Sequence, residues 1–494
     1  MSRPAGAVGL LVVVGAALRL LGLDAKGFWQ DEVATLEVLR ADLGGLPPAI
    51  TDSERAPPLY YLIAWPWTRV FGDGEVGIRS LSALSGVAVI PVAYLAGKEL
   101  VSRRAGVVAA GLVAVNPLLV WYSQEARVYS LLVLLSGVAL YFFARSLKDP
   151  RPWPLALWAL FSVLAVMTHY FAAFAFAAEA AWLLARAGRR RAVLAASAVP
   201  AAAVVALIPL AAAQQGPRAA TDWILDLSLP TRVAELGLLL VGVELTHPLA
   251  LPLGGIAATL AGVGLLLLLT RGSEAERRGA LVAGSVAAGT ILIPLALVPV
   301  GIDVFLYRNM LGVGLALVVV VAAGLGAARA GAIGLAATAA LMALSAGIVV
   351  ATNQDPKYQR EAWREAAESL GASRWSRAIV STPGQPGEGP LRLVYLSDTS
   401  RLEGGSAWVE EVDLLALPRR GYGELAAPKL PRVDDRPSPP SPGFTLVERR
   451  REEYLLLYRY RAARPWLISY EQLSAAALDQ GVEPLVLIQR PGVR

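Results

Sequence analysis

Long apolar runs separated by short clusters of lysine and arginine fill roughly the first 350 positions of the chain. A membrane-spanning helix needs about 20 mainly apolar residues, with a range of about 17–25. The basic clusters organise the count: Lys98/Arg103/Arg104, Arg145/Lys148/Arg151, Arg186/Arg189/Arg190/Arg191, Arg271/Arg277/Arg278 and Arg329. Short cytoplasmic loops hold such residues in excess, so neighbouring clusters enclose an even number of crossings. As a single helix, Pro152–Arg186 would run about 52 Å, too long for one span. Two short helices turning at Thr168-His169-Tyr170 fit better. The pattern predicts spans near 5–23, 76–97, 105–122, 127–146, 152–168, 170–186, 192–213, 249–270, 280–300, 309–328 and 331–351, about eleven transmembrane helices. The first is too long and lacks a convincing cleavage site for a removable signal peptide, and is read as a retained helix. The N-terminus is then cytoplasmic and the C-terminus extracytoplasmic. Leu236–Leu245 reads as an interfacial helix or part of an extra span; the break at Thr246-His247-Pro248 favours the former.

Beyond residue 352 the pattern changes abruptly. Charge rises, a Pro-rich stretch (PRVDDRPSPPSP) appears, and short β-like runs follow: AIVST, RLVYL and YLLLYRY. KYQREAWREAAESL reads as an amphipathic helix, and WLISYEQLSAAAL as a strand running into another. The expected division is a transmembrane catalytic domain over 1–351, with a long first outer loop at 24–75, and a small soluble α/β domain over 352–494, loosely held at 427–443.

Composition agrees with a polytopic α-helical membrane protein. Of 494 residues, 55% are hydrophobic and 17% charged, too apolar for a soluble globule of this size. The basic excess of +6 is accounted for by loop clusters and calls for no nucleic acid. No cysteine is present, which excludes disulfides and thiolate metal sites.

Polar residues gather at the face expected to lie outside. Asp31-Glu32 follows the first span, and two adjacent carboxylates at a bilayer boundary carry a desolvation cost. They are candidates for acid/base or metal chemistry; the plain alternative is solvated charge or a helix N-terminal carboxylate. Gln30–Ala41 and Pro58–Phe71 read as surface helices, and Tyr60, Tyr61, Trp65 and Trp67 as interfacial anchors. Glu125 and Arg127 sit in a very short connection. They form either a local ion pair or a guanidinium aimed at an anion, for which its planar fork is suited. His169 and Tyr170 tip the short hairpin. Asp303 and Arg308 sit at the entrance of span ten, where an arginine can snorkel or bind phosphate. A divalent metal ion stays open as a cofactor, because no spacing here is diagnostic.

Taken in order, the DE pair, APPLYYL, GIRSLSALSGVAVIPVAYLAGKEL, NPLLVWYSQEARVYSL, THYF and LYRNM resemble the bacterial GT-C glycosyltransferases over about residues 6–350. The likeness is to the mannosyltransferase and aminoarabinose-transferase-like group related to protein O-mannosyltransferases. It implies a membrane transferase that uses a polyprenyl-phosphate-linked sugar donor on the extracytoplasmic face, with a lipid, glycan or protein acceptor. By the same resemblance Asp31 is the catalytic base, with Glu32 its companion. Arg127, in the QEAR motif, and Arg308, in a late RY-type motif, are donor-phosphate ligands. The late motif departs from the family in reading Arg308-Asn309, with Tyr307 preceding the arginine. Tyr60, Tyr61, Gln124, Glu125, Tyr129, His169 and Tyr170 are the candidate substrate contacts.

The chemistry these residue types perform is consistent. A phosphate leaving group needs positive charge aimed at its oxygens, and the attacking hydroxyl needs a carboxylate base on the opposite side of the sugar carbon. Direct displacement inverts the anomeric centre. A transporter or flippase for a lipid-linked or polar substrate is the alternative class. Such proteins usually carry repeats and mid-membrane ionisable groups, whereas here Glu179 is the one clear mid-span acid and no repeat is visible.

Overall fold

The computed structural model describes residues 3–149, 151–186, 190–214, 250–354, 360–418 and 437–491, with 224, 227–237, 239 and 430–433. Most of Leu236–Leu245, the break at Thr246-His247-Pro248 and part of 427–443 lie outside the described residues. By its contacts the chain divides into two units, 1–23 with 37–351, and 24–36 with 352–494. The expected first outer loop is thus divided, its opening stretch grouping with the C-terminal residues.

Each of the eleven expected spans corresponds to a helix. In chain order the helices are α1 (Arg3–Leu20), α2 (Gln30–Arg40), α3 (Leu46–Ser53), α4 (Leu59–Phe71), α5 (Glu75–Leu100), α6 (Arg103–Val115), α7 (Pro117–Ser123) and α8 (Tyr129–Ser146). Then come α9 (Pro152–Val166), α10 (Ala172–Ala185), α11 (Arg190–Ala213), α12 (Leu229–Ala234), α13 (Ala250–Arg271), α14 (Glu274–Leu297), α15 (Gly314–Leu325) and α16 (Gly331–Gln354). Among the described residues seven helices are long and apolar enough to cross a membrane, and α6 with α7 form an eighth candidate bent by 56°. Three further apolar helices, Ala5–Leu20, Pro152–Val166 and Ala172–Ala185, lie at expected spans but are shorter. The short outer helix α3 had no counterpart in the sequence reading.

The bend between α6 and α7 has a local cause. Pro117 cannot donate a backbone hydrogen bond, and the Asn116 side chain accepts from the Leu119 N–H at 2.9 Å, capping a new helix start. The break frees carbonyls at the end of α6. Arg19 of α1, fully buried, donates to Val113 O and Ala114 O, both at 2.8 Å. A charge at that depth is tolerated because it meets polar backbone. Elsewhere the helices approach through small residues, as helices in lipid commonly do. A Cβ built on Gly324 of α15 would come within 1.8 Å of Gly264 O on α13. Glu179 on α10 accepts a 2.7 Å hydrogen bond from the Trp158 indole of α9, so this acid joins the two arms of the short hairpin.

The second unit is an α/β domain around a six-stranded sheet, ordered β2-β6-β1-β3-β5-β4. Its strands are β1 (Arg377–Thr382), β2 (Thr399–Arg401), β3 (Ser406–Ala416), β4 (Phe444–Glu452), β5 (Leu455–Ser469) and β6 (Leu485–Gln489). β1 and β3 run parallel, and the other pairs are antiparallel. β1 is buried at every position because both sheet faces are covered, as for strands in covered parallel sheets. Ile379 packs with Trp363, Leu370 and Leu415 on one face, while Ala378 and Val380 pack with Tyr458, Ile468 and Leu473 on the other.

Two sequence expectations for this domain are corrected. RLVYL is not a strand: it lies in a π-helical segment, Gly389–Tyr395. A five-residue apolar run carries no usable periodicity, and here it continues a helical run that opens at Gln385 with a proline in its first turn. WLISYEQLSAAAL does not pass from strand to strand. Its first half belongs to β5, and Tyr470–Ala475 is a helix. A capping box sets the boundary, with Ser469 and Gln472 satisfying each other's backbone N–H; that spacing is a helix-start signature. Of the amphipathic helix expected over KYQREAWREAAESL, Trp363–Leu370 is helical, with Trp363, Ala366, Ala367 and Leu370 buried; residues 360–362 are not helical, and 357–359 lie outside the described residues.

Candidate active site

In the helical unit the polar residues of three connections come together. The first is the turn between α7 and α8. Its backbone is fixed by the Arg127 N–H on Glu125 O at 2.8 Å and by the Ser82 hydroxyl on Arg127 O at 3.2 Å. From this turn the Arg127 side chain reaches Glu54 with an Nη1–Oε1 distance of 2.8 Å. Both partners are largely removed from solvent, at 11% and 2% exposure. Glu54 closes α3, its N–H bonded to Ile50 O. The local Glu125–Arg127 ion pair considered from sequence is therefore not the whole account: a carboxylate 73 positions away in the chain engages this guanidinium.

Tyr60 and Tyr61 begin α4 and are both fully buried, with rings in edge contact at 5.5 Å. Their expected role as interfacial anchors is corrected, since neither ring reaches a lipid surface. Burial first, then the nearby Glu54 carboxylate, holds the Tyr61 hydroxyl well above the usual phenol range. Trp65 and Trp67 are also committed within the protein, to Ala41 O at 3.0 Å and to Ser80 Oγ at 2.9 Å.

The second connection is the hairpin tip between α9 and α10. It is tied to α4 through Leu59 N–H to Met167 O. The His169 ring lies 6.0 Å from that of Tyr129, and its Nδ1 accepts the Phe171 N–H at 3.3 Å. Burial first, then the guanidinium groups of Arg308 and Arg127, push the imidazole down to about 3. It is therefore neutral at physiological pH. The third connection supplies Arg308, in a 3-10 segment at Tyr307–Val313. The chain leading into it is braced by Asp303, which takes both Arg232 terminal nitrogens at 2.5 and 2.7 Å; Arg232 also donates to Phe305 O. Asp303 thus serves as a brace for the chain entering that segment.

Two further candidates have clear structural employment. The Gln124 amide donates to Leu18 O and Leu21 O at the end of α1. The Tyr170 hydroxyl donates to Gln214 Oε1 at 2.7 Å, and Gln214 in turn donates to Ile50 O and Ala56 O. That bridge fixes the loop carrying Glu54. Glu125 is 5% exposed in the same turn as Arg127. Asp31 and Glu32 occupy the first turn of α2, in the stretch that groups with the C-terminal unit; Glu32 is fully buried.

Two residues escaped the sequence reading: Glu54, beside the APPLYY motif, and Gln214. Their only sequence signal was a polar side chain bordering a motif or ending an apolar run. The cluster sets two guanidiniums and a neutral imidazole beside two carboxylates, Glu54 and Glu125, and the guanidiniums are the groups in it suited to an anion. Among the described residues no group of three or more His, Cys, Asp or Glu side chains could hold a metal ion.

Comparison with known proteins shows what the chain resembles. Residues 55–213 match the family described as dolichyl-phosphate-mannose-protein mannosyltransferase; the match takes in Glu54's neighbours, Arg127 and His169, and begins after Asp31 and Glu32. A search of curated proteins finds no match. Among solved structures, ArnT from Cupriavidus metallidurans bound to undecaprenyl phosphate aligns with a TM-score of 0.54 at 14% identity, over 92% of this chain and 98% of that one. ArnT in the apo state aligns with a TM-score of 0.46 at 17% identity, over 66% of this chain and 60% of that one. An Archaeoglobus fulgidus oligosaccharyltransferase aligns with a TM-score of 0.45 at 13% identity, over 74% and 57%. The fold is that of the GT-C glycosyltransferases, and the resemblance read from the sequence is borne out. The chain is a multi-pass membrane protein of that architecture.

Proposed function

We propose that this protein transfers a sugar from a polyprenyl-phosphate-linked donor to an acceptor hydroxyl on the extracytoplasmic face of the membrane, with inversion at the anomeric carbon. The observation that carries the reading is the pair of guanidiniums, Arg127 and Arg308, both bearing on the buried His169. Half-buried positive charge beside a neutral imidazole suits a phosphate whose negative charge grows as it leaves. Preorganised donors of this kind act most strongly where water is excluded.

In this mechanism the acceptor oxygen forms a bond to the anomeric carbon as the bond from that carbon to the donor phosphate oxygen breaks. The hydroxyl proton passes to the Asp31 carboxylate, and the electron pair of the broken bond leaves with the polyprenyl phosphate. Arg127 and Arg308 hold that phosphate. Glu54 sets the direction of the Arg127 fork, and Glu32 orients the base. Tyr61, Tyr129 and His169 line the donor side. The transporter reading loses its main support, because Glu179 is engaged by Trp158 inside the hairpin.

The test is release of undecaprenyl phosphate by purified protein from undecaprenyl-phosphate-linked mannose and arabinose, in the presence of membrane extract as acceptor source. Release with one of these donors is expected, and its loss by about two orders of magnitude or more in Asp31→Asn, in the range that acid–base groups contribute. Wild-type release by Asp31→Asn would remove the base assignment.

A further inference from the structure

The C-terminal domain makes a set of contacts that the folding of its own sheet does not require. Its first residues, Arg360 and Arg364, and its π-helical segment Gly389–Tyr395 all meet the stretch 24–36. The Tyr395 hydroxyl accepts the Phe28 N–H at 2.5 Å. Arg364 donates from one terminal nitrogen to Asp24 O at 2.9 Å and from the other to Ala25 O at 3.2 Å. The Arg360 guanidinium lies 3.7 Å from the centre of the Trp29 ring, a cation–π distance. Gly27 has no room for a side chain: a Cβ there would stand 2.9 Å from both Arg364 Cβ and Tyr395 Oη. Gly389 also approaches Val33 closely, where a Cβ would stand 3.2 Å from the Val33 side chain. These contacts bracket the start of α2, whose first turn carries Asp31 and Glu32.

We propose that the C-terminal domain acts as a holder for the acid-bearing segment, with Tyr395 and Arg364 as positioning residues for Asp31 and Glu32. The inference rests on the role proposed above for Asp31. Its physical basis is that a general base must be held within hydrogen-bond reach of its proton, and a misplacement of about 1 Å can cost about 100-fold. Backbone anchors at Asp24, Ala25 and Phe28, just before Trp29, remove the freedom of a glycine-containing loop ahead of the helix. The Tyr395 hydroxyl is carried at the end of a π-helical segment, and such segments often occur at functional positions.

The experiment uses the full chain in detergent or lipid and reads two independent quantities. The first is amide hydrogen exchange over 28–36, with trypsin cleavage after Lys26 as a parallel measure. The second is turnover of the undecaprenyl-phosphate-linked sugar, separated into kcat and KM. Tyr395→Phe and Arg364→Met are expected to raise exchange over 28–36 about tenfold and lower kcat at least fivefold, with KM for the donor within about twofold. Arg364→Lys, which keeps the charge but cannot span both carbonyls, is expected to fall between. Arg450→Gln, which loses a contact to Ser369 in the same domain, should leave both quantities at the wild-type level. Unchanged exchange in Tyr395→Phe and Arg364→Met overturns the proposal. So does raised exchange with wild-type kcat while Asp31→Asn is inactive. Equal effects in Arg450→Gln would reduce the result to general loosening of the domain and overturn it too. If Asp31→Asn itself turns over at the wild-type rate, the base assignment fails, and the exchange data alone then judge the anchoring.

Discussion

Replacing Glu54 by glutamine tests whether Arg127 is held by a buried carboxylate that a phosphate can replace. The substitution keeps the shape and a hydrogen-bond acceptor for Arg127, and removes only the charge. At 2% and 11% exposure the pair is shielded from water, so the relevant scale is the cost of breaking a buried pair, about 3–5 kcal/mol. An exposed pair would contribute about 0–1 kcal/mol. Because glutamine retains one polar contact, the lower end applies, about 3 kcal/mol. At about 2–4 °C per kcal/mol for domains of a few hundred residues, the melting temperature should fall by about 6–12 °C. A bound phosphate would supply the missing negative charge, and a ligand that binds only the folded state raises its stability. Undecaprenyl phosphate should therefore raise the melting temperature of Glu54→Gln by more than it raises that of the wild type. The double variant Glu54→Gln with Arg127→Met should regain part of the lost stability, since no orphaned charge remains, and show little response to the lipid phosphate. Tryptophan-fluorescence melts of the wild type, Glu54→Gln, Arg127→Met and the double variant, each with and without the lipid, measure these effects. Unchanged melting of Glu54→Gln, or a double variant less stable than the sum of its parts, would refute the reasoning.

Three other outcomes are expected. Gly324→Ala should destabilise the helical unit by about 1–3 kcal/mol or more through overpacking, because its methyl would enter the space of Gly264 O; a melting temperature within about 1 °C of wild type would contradict the crossing described here. Arg19→Met should cost about 3 kcal/mol, on the scale of about 1.5–3 kcal/mol for each hydrogen bond to a charged group, by stranding Val113 O and Ala114 O at the α6–α7 bend; melting measures it. His169 has a folded pKa of about 3 against an ordinary value near 6.5, so the unfolded chain binds the extra proton between those values. Its contribution to stability is then complete above about pH 6.5 and falls as pH drops toward 3, by about 1.4 kcal/mol per unit. His169→Gln should therefore melt with a weaker pH dependence than wild type between about pH 7 and 5, and the wild-type rate should show no limb near 6.5 that this substitution abolishes.

Much of the architecture followed from local pattern. Apolar runs of spanning length punctuated by arginine clusters determined where the helices lie, because a bilayer leaves the backbone few ways to satisfy its hydrogen bonds. The short hairpin at Thr168-His169-Tyr170 was legible for the same reason: a single helix there would overrun the membrane. The polar connections carrying Arg127 and Arg308 stood out as charge set between apolar segments. The exchange of RLVYL from strand to π-helix, and of YEQLSA from strand to helix, shows the weaker side of local reading. Those runs are too short for periodicity to decide, and capping or packing decided instead.

Only the tertiary structure settled which groups meet. Nothing near Arg127 in sequence names Glu54 as its partner, since a 2.8 Å ion pair between turns 73 positions apart depends on how α3, α4 and α8 pack. The same holds for Gln214, which bridges Tyr170 to the loop before α4, and for Arg19, whose burial is intelligible only beside the broken helix it caps. The grouping of 24–36 with residues more than three hundred positions later is likewise set by contacts such as Phe28 with Tyr395. Hydrophobic periodicity is a property of neighbouring residues and so survives in the linear chain. The environment of a buried charge is created by distant segments, and exists only once they have packed.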